Sequence, residues 1–257
     1  MRAGIWSTAL ALAGTIMRFA SSLIMTRLLV PEVFGVVALS MVLFTVVALL
    51  SDVGLRQSII YNEKGEDPEF LGTIWGISAV RGVVISSLAG LIALVVYSGQ
   101  NLSWFAAGSV YAHPDLPAVL ALTGFTAAVS GLKSPKVYVC ERHLDLKSVG
   151  YIELMAQFTG TVATILLALQ WRSVWPIVAG AYVTAITTVL LSLYWLKGPI
   201  GRMRWNRPHA REIILFGRWI MLSSVTYVIA SNSDRLLFGI WFTPEMLAFY
   251  ALALNIV

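Results

Sequence analysis

Long apolar runs separated by short charged segments dominate this sequence, and they restrict its possible folds more than any other feature. Seven such runs are roughly 17 residues or longer, for example residues 31–51 and 174–196. A run of about 20 residues crosses the hydrocarbon core of a bilayer as one helix, which satisfies its own backbone hydrogen bonds. Only 12% of the residues are charged, whereas soluble domains carry about 25%. The sequence therefore predicts an all-α polytopic membrane protein.

Prolines and charges set the boundaries of the predicted spans. The spans cover about residues 5–29, 31–51, 70–98, 116–132, 148–169, 174–196 and 212–242, and an eighth begins at Pro244. Asp67-Pro68-Glu69 and Thr243-Pro244-Glu245 each supply a capping side chain, a proline for the first turn and a carboxylate for the positive end of the helix dipole. Val30-Pro31-Glu32 is similar but lacks a capping side chain.

Lysines and arginines are distributed very unevenly between the two sides of the predicted membrane. If the N-terminus is cytoplasmic, the inner segments contain twelve of them: Arg2, Arg56, Lys64, Lys133, Lys136, Arg142, Lys147, Lys197, Arg202, Arg204, Arg207 and Arg211. The outer segments contain two, Arg27 and Arg172. Because cytoplasmic loops of membrane proteins are enriched in Lys and Arg, we expect a multi-pass membrane protein with a cytoplasmic N-terminus.

The same uneven distribution explains the basic composition. A net charge of +5 is compatible with nucleic-acid binding, but inner loops account for most of the positive charge, so no nucleic-acid partner is expected. The basic segment 197–211 is expected to lie on anionic lipid headgroups, and first contact with an anionic lipid substrate is the alternative. The single cysteine, Cys140, and three scattered histidines form no metal pattern, and no catalytic motif is present. We expect no metal, no cofactor and no enzymatic activity.

An internal repeat at an offset of 213 residues predicts how the chain is organised. Residues 31–39, PEVFGVVAL, resemble residues 244–252, PEMLAFYAL, and Gly4 and Trp6 recur as Gly217 and Trp219. The offset spans six predicted helices, so both copies cross the membrane in the same direction, as in parallel duplications of transporters. We expect a six-helix N-terminal lobe (1–196), a basic cytoplasmic linker (197–211) and the first hairpin of a pseudo-symmetric second lobe (212–257), truncated within its second helix.

Four arginines lie within predicted spans, where each charge costs roughly 2.5–3.5 kcal/mol on insertion scales. Arg18 shares a helix face with Gly14, Ser21, Ser22 and Met25, and Arg235 shares one with Ser224 and Ser231, at the same depth under the 213-residue offset. These two arginines are the best candidates for a cavity, and structural pairing remains the alternative for each. Structural pairing is favoured for Arg81, and Arg218 can reach the interface. Asp234 is either an ion-coupling site or the partner of an arginine.

Three stretches resemble a known family. They are residues 26–60 (TRLLVPEVFGVVALSMVLFTVVALLSDVGLRQSII), 134–154 (SPKVYVCERHLDLKSVGYIEL) and 232–256 (NSDRLLFGIWFTPEMLAFYALALNI). They resemble the oligosaccharide flippase, or Wzx-type polysaccharide transport, family. This family belongs to the multidrug/oligosaccharidyl-lipid/polysaccharide exporter superfamily.

The resemblance implies a carrier of two six-helix lobes, the fold that multidrug exporters of the superfamily share. Such a carrier turns a polyprenyl-pyrophosphate-linked oligosaccharide across the bacterial plasma membrane by alternating access, for O-antigen, capsule or exopolysaccharide synthesis. Relatives use a cationic central cavity, and Arg18, Arg235 and then Arg81 best match it here. Polysaccharide polymerase and glycosyltransferases are the implied partners.

Three other functions remain open on the sequence alone. A multidrug or cation antiporter of the same superfamily should have an acidic cleft, whereas Asp234 is the one clear intramembrane acid in this chain. A membrane glycosyltransferase or polymerase acting on lipid-linked sugars usually needs a sizeable outer loop, and the outer loops predicted here are short. The third is a scaffold without transport activity.

Overall fold

The computed structural model describes residues 2–106, 108–196 and 203–254 and is helical wherever it has regular structure. The longer helices are α1 (Arg2–Leu28), α2 (Pro31–Leu50), α4 (Pro68–Asn101), α5 (Leu116–Ser130), α7 (Leu146–Gln170), α8 (Trp175–Tyr194), α9 (Arg207–Trp241) and α10 (Pro244–Leu254). Two helices of seven residues, α3 (Leu55–Tyr61) and α6 (Lys136–Arg142), connect them, together with a 3-10 turn at Val110–Ala112.

The predicted all-α membrane fold is confirmed. In the described part of the chain, α1, α2, α4, α7 and α8 are each long and apolar enough to cross a bilayer. The predicted fourth span corresponds to α5, which is apolar but has 15 residues, or about 22 Å of helix. The predicted seventh span corresponds to α9, which begins five residues earlier than expected because Pro208 fits the first turn that follows Asn206.

Helix starts follow the signals in the sequence. The Asp67 side chain accepts a hydrogen bond from Glu69 N at 3.0 Å, so it caps α4 as predicted. Thr243 Oγ1 accepts from Met246 N at 3.4 Å at the start of α10. Val30 makes no capping bond before α2, and its extended backbone is the one that a following proline favours.

Glycines bring neighbouring helices into close antiparallel contact. A Cβ on Gly82 of α4 would lie 2.5 Å from Ala127 O of α5, and one on Gly131 would lie 2.7 Å from Ser78 O. The hydroxyl of Ser86 joins the same pair of helices, because it donates to Gly124 O and accepts from Ala128 N. Small residues allow this approach where no hydrophobic effect drives helices together in lipid.

The two copies of the repeated phrase pack on each other. A Cβ on Gly35 of α2 would overlap the backbone of Pro244, the first residue of α10. Leu247 of α10 is buried in the same apolar cluster as Val36 and Leu39 of α2, and Ala248 beside it is buried as well. The α2–α10 contact therefore joins the first predicted lobe to the start of the second, and the predicted domain boundaries remain a prediction.

Helices α3 and α6 lie together at one end of the bundle, which we call the basic end. Arg56 pairs with Glu141 at 2.5 Å, and Arg142 donates to the carbonyls of Ile59 and Asn62 and pairs with Glu66 at 3.5 Å. These bonds fix the segment that follows α2 to the segment that follows α5. The sequence reasoning missed both short helices, because seven residues give too little periodicity to distinguish a helix from a loop.

Cys140 lies in α6 at the basic end, outside the spans. Burial raises the pKa of its thiol, the charges of Asp145 and Glu141 raise this pKa further, and Lys136 lowers it. A raised pKa keeps the thiol protonated near neutral pH, whereas a nucleophilic cysteine needs the thiolate. Cys140 is therefore not activated for covalent chemistry.

A candidate substrate cleft

A cleft opens between α1, α2, α7, α8 and α10, and we call it the central cleft. It contains about 1350 Å³ of empty space, including the part that is open to the surroundings. It lies in the half of the bundle away from the basic end, because it is lined by the C-terminal half of α1 and the N-terminal halves of α2 and α8. The polar lining residues are Arg18, Ser21, Ser22, Gln157, Thr161, Thr164 and Thr184.

The central cleft exists because α1 and α2, which are consecutive in the chain, pack on different helices. Helix α1 packs on α7, whereas α2 packs on α5, α9 and α10. The contact between α1 and α7 is anchored at Gly14, which is buried and whose carbonyl accepts a hydrogen bond from Gln157 Nε2 at 3.1 Å. The space left between α1 and α2 forms the cleft.

Arg18 lines this cleft without an acidic partner. Its Nη1 donates to Gln157 Oε1 at 3.2 Å, and its Nη2 donates to Thr15 Oγ1 at 3.1 Å. Both acceptors are neutral, and no carboxylate in the described part of the chain lies within 4 Å of it. The guanidinium is held in position by neutral groups, and no carboxylate of the described residues neutralises its charge. Ser21, Ser22 and Met25 line the cleft with Arg18, as their shared helix face predicted.

One wall of the cleft is a reciprocal crossing of glycine and threonine between α7 and α8. Gly160 lies against Thr184, and Gly180 lies against Thr164, so that a Cβ on either glycine would lie 2.9 Å from the other glycine's carbonyl oxygen. Each threonine donates its hydroxyl proton to the carbonyl of the glycine four residues before it, at 2.9 Å. All four residues line the cleft.

The sequence analysis did not predict this wall of the cleft. The signal that could have identified it is the pattern Gly-x-x-x-Thr, which occurs in two consecutive spans at Gly160–Thr164 and Gly180–Thr184. Gln157 was missed as well, because one neutral amide in an apolar span attracts less notice than an arginine. Its two bonds show that it orients Arg18 and joins α7 to α1.

Arg81 lies outside the central cleft, at the C-terminal end of α2. Its Nε donates to Ser51 O at 2.8 Å and its Nη2 donates to Ala48 O at 2.9 Å, and Nη2 lies 3.8 Å from Asp52 Oδ1. It thereby satisfies the last carbonyls of α2, as cations do at helix C-termini. It lines a second cleft of about 1290 Å³ that extends toward the basic end and meets the central cleft at Ala181 and Thr184.

The remaining candidates lie on α9. The backbone of this helix is described over Arg207–Trp241, but the side chains of Asp234 and Arg235 lie outside the described residues. Their predicted roles therefore stay predictions. Part of the basic linker, residues 197–202, is also outside the described ranges. In the part of the linker that the structure describes, Arg204 N donates to Gly72 O at 3.3 Å.

Comparisons with known proteins agree with this membrane architecture. A family model described as "Polysaccharide biosynthesis protein" matches residues 24–257. The chain is 22% identical over 227 residues to "Lipopolysaccharide biosynthesis protein WzxC" of Escherichia coli K12, covering 88% of this chain and 39% of that protein. It is 23% identical over 231 residues to "Uncharacterized membrane protein in cps region" of Klebsiella pneumoniae, covering 88% of this chain and 45% of that protein.

The chain thus spans less than half the length of these two relatives. No solved structure matches it. The family match covers most of the chain and includes α2, α7, α8 and α10 of the central cleft, whereas Arg18 and most of α1 precede it. The resemblance found in the sequence is therefore confirmed, and the chain is a membrane protein that belongs to the Wzx-type polysaccharide transport family.

Proposed function

We propose that this chain is part of a carrier that turns a polyprenyl-pyrophosphate-linked oligosaccharide from the inner to the outer face of the bacterial plasma membrane by alternating access. The observation that supports this most is Arg18, a cation held by neutral groups in a cleft among membrane-spanning helices. A charge at such depth is costly and marks a functional site by default. Membership in a polysaccharide transport family supports a saccharide-linked cargo.

The chemistry of Arg18 suits a pyrophosphate. A guanidinium donates two parallel hydrogen bonds to phosphate oxygens, and such charge-assisted bonds are about twice as strong as neutral ones. Arg18 uses one donor on each of Nη1 and Nη2 for neutral acceptors that an anion can replace or join. An anionic cargo in this cleft also fits the absence of an acidic residue from its described lining.

Arg235 and Arg81 are the further proposed contacts. Arg235 belongs to the helix that corresponds to α1 under the 213-residue offset, so we place it opposite Arg18 in the complete carrier. Arg81 is bound to the end of α2 and lines the second cleft toward the basic end. We therefore assign it to cargo that enters from that end. The basic end is the cytoplasmic side in this proposal, as its arginines and lysines predict.

Cells that lack the protein test this function. We expect the lipid-linked saccharide to be synthesised but to accumulate on the inner leaflet, and surface polysaccharide to fall to background. The measurement is the amount of lipid-linked saccharide in intact cells that an added, membrane-impermeant glycosidase digests. The control is the deleted strain that carries the complete reading frame on a plasmid. Normal surface polysaccharide in the deleted strain would contradict the proposal.

A further inference from the structure

Neutral hydrogen-bond donors surround Arg18 in the central cleft, and we call this group the donor cluster. It consists of Ser21 and Ser22, one turn beyond Arg18 on α1, together with Gln157 and Thr161, one turn apart on α7. All four side chains line the cleft and are half-buried. A molecule in the cleft can therefore contact them.

Helices α1 and α7 run side by side in the same direction, because their contacts keep a nearly constant offset in sequence. Leu10 lies against Gly150, and Gly14 O accepts a hydrogen bond from Gln157. The same offset places Thr161 at the level of the two serines, one helical turn, or about 5.4 Å, beyond the guanidinium. The donor cluster therefore has two levels, with the amide at the first and the three hydroxyls at the second.

The three hydroxyls of the second level have no partner in the described part of the chain. A hydroxyl within a helix often donates to the carbonyl four residues before it, as Thr164 and Thr184 of the same cleft do at 2.9 Å. Ser21, Ser22 and Thr161 make neither this bond nor another one with a described residue. Their hydrogen-bonding capacity is thus unused next to an arginine.

The amide of Gln157 is fixed in one orientation by its two contacts. Its Oε1 accepts from Arg18 Nη1 at 3.2 Å, and its Nε2 donates to Gly14 O at 3.1 Å. A reversed amide would bring Nε2 against the guanidinium donors and Oε1 against a carbonyl oxygen, so neither bond could form. Nε2 carries a second N–H, and no described residue accepts a hydrogen bond from it.

The charge of this part of the cleft favours an anion. Arg18 supplies the positive charge, the donor cluster supplies neutral N–H and O–H groups, and no acidic residue belongs to the described lining. Charge-assisted hydrogen bonds to an anion are about twice as strong as those to a neutral acceptor. Because the donors occupy two levels, the arrangement suits an anion with two linked groups better than a single phosphate.

We propose that the donor cluster completes a two-level pyrophosphate site. Arg18 and Gln157 bind one phosphate, and the hydroxyls of Ser21, Ser22 and Thr161 bind the other. This inference rests on the proposed function, in which Arg18 binds the pyrophosphate of the cargo, and it adds the residues that distinguish a pyrophosphate from a monophosphate.

Gln157 determines the charge selectivity of this site. Its neutral amide holds the guanidinium of Arg18 without neutralising it. A carboxylate of the same shape at position 157 would form an ion pair with Arg18 and would repel an anion, so the site depends on an amide at this position.

Binding of two short polyprenyl probes tests the two levels. The probes are farnesyl pyrophosphate and farnesyl monophosphate, and titration calorimetry in detergent uses the purified protein encoded by the complete reading frame. We expect the pyrophosphate to bind about tenfold more tightly, the effect of one further charge-assisted hydrogen bond. Thr161→Val should remove most of this preference and leave the affinity for the monophosphate unchanged, whereas general damage to the fold would weaken both probes alike.

Gln157→Glu tests the charge selectivity. This variant should bind both probes about a hundredfold more weakly, because its carboxylate neutralises Arg18 and repels phosphate oxygens. Gln170→Glu is the matched control, because it makes the same change at the last residue of α7, outside the central cleft. This control should bind both probes as tightly as the unaltered protein. Undiminished binding by Gln157→Glu would overturn the role of Gln157.

The double variant Ser21→Ala, Ser22→Ala covers the case in which Gln157→Glu folds poorly, because it removes only hydroxyls that no described residue uses. It should also reduce the preference for the pyrophosphate. An unchanged preference in both hydroxyl variants overturns the two-level site, as does the absence of saturable binding. Equal affinity of the unaltered protein for the two probes also overturns it, and identifies a site for a lipid monophosphate instead.

The failure of this site and the failure of the proposed function give different results. Normal export in cells lacking the protein contradicts the proposed function. Export that depends on the protein, combined with an unchanged pyrophosphate preference in the hydroxyl variants, contradicts only the two-level site.

Discussion

Replacement of Arg18 by glutamine is expected to abolish export of surface polysaccharide while the protein still inserts into the membrane. The variant loses a bidentate contact with the pyrophosphate, worth about 3 kcal/mol or roughly a hundredfold in rate. Insertion should not suffer, because the change removes a charge whose burial in the membrane is costly. The measurement is surface polysaccharide in the deleted strain that carries the variant, with membrane-bound protein quantified in parallel.

Two further variants make this result specific. Arg18→Lys should be intermediate, because it keeps the charge but loses the planar fork that binds two phosphate oxygens. Arg27→Gln is the matched control, because Arg27 lies on the same helix but not in the central cleft, and it should export normally. Export at the unaltered level in Arg18→Gln would remove this residue from the site.

Replacement of Gly180 by valine is expected to be the most damaging change to the fold. A Cβ at this position would lie 2.9 Å from Gly160 O and 3.0 Å from Thr164 Cβ, and a second helix backbone cannot move away cheaply. We expect α7 and α8 to separate, at a cost of roughly 1–3 kcal/mol or more. Thermal denaturation of the detergent-purified protein, followed by size-exclusion chromatography, should give a lower midpoint and more aggregate.

Gly90→Val is the control for this experiment. Gly90 lies within α4, but a Cβ there meets nothing within 4 Å, so the same substitution should cost no more than ordinary helix propensity. Equal midpoints for Gly180→Val and Gly90→Val would show that the crossing of α7 and α8 does not depend on close contact. The position of the α7–α8 wall of the central cleft would then have a cause other than the close contact of Gly160 and Gly180.

The helices could be predicted because lipid makes their signals strong. Apolar runs of span length have few alternatives in a bilayer, and Pro-Glu pairs mark the starts of α2, α4 and α10. The helices α3 and α6 are held by tertiary bonds, such as those from Arg142 to Ile59 O and Asn62 O, and a sequence does not reveal bonds between distant residues.

The candidate site was predictable only in part. The free-energy cost of a charge in the membrane indicated both Arg18 and Arg81 as candidates. It could not show that Arg18 lines the central cleft whereas Arg81 caps α2. That difference depends on which helices lie beside each arginine. Gln157 and the threonines of α7 and α8 carry no charge, so their contribution to the cleft appears only when α1 is placed on α7.

Transfer of a labelled lipid between leaflets is the most direct measurement of the central claim. The protein encoded by the complete reading frame is reconstituted into liposomes that contain a fluorescent polyprenyl-pyrophosphate oligosaccharide, and dithionite is added outside to quench the exposed label. We predict that quenching proceeds beyond the outer-leaflet fraction with the unaltered protein and with Arg27→Gln, and stops at that fraction with Arg18→Gln. If quenching with the unaltered protein stops at the same fraction as in protein-free liposomes, the result contradicts a flippase. If quenching with Arg18→Gln proceeds beyond the outer-leaflet fraction, the result contradicts the role of the central cleft.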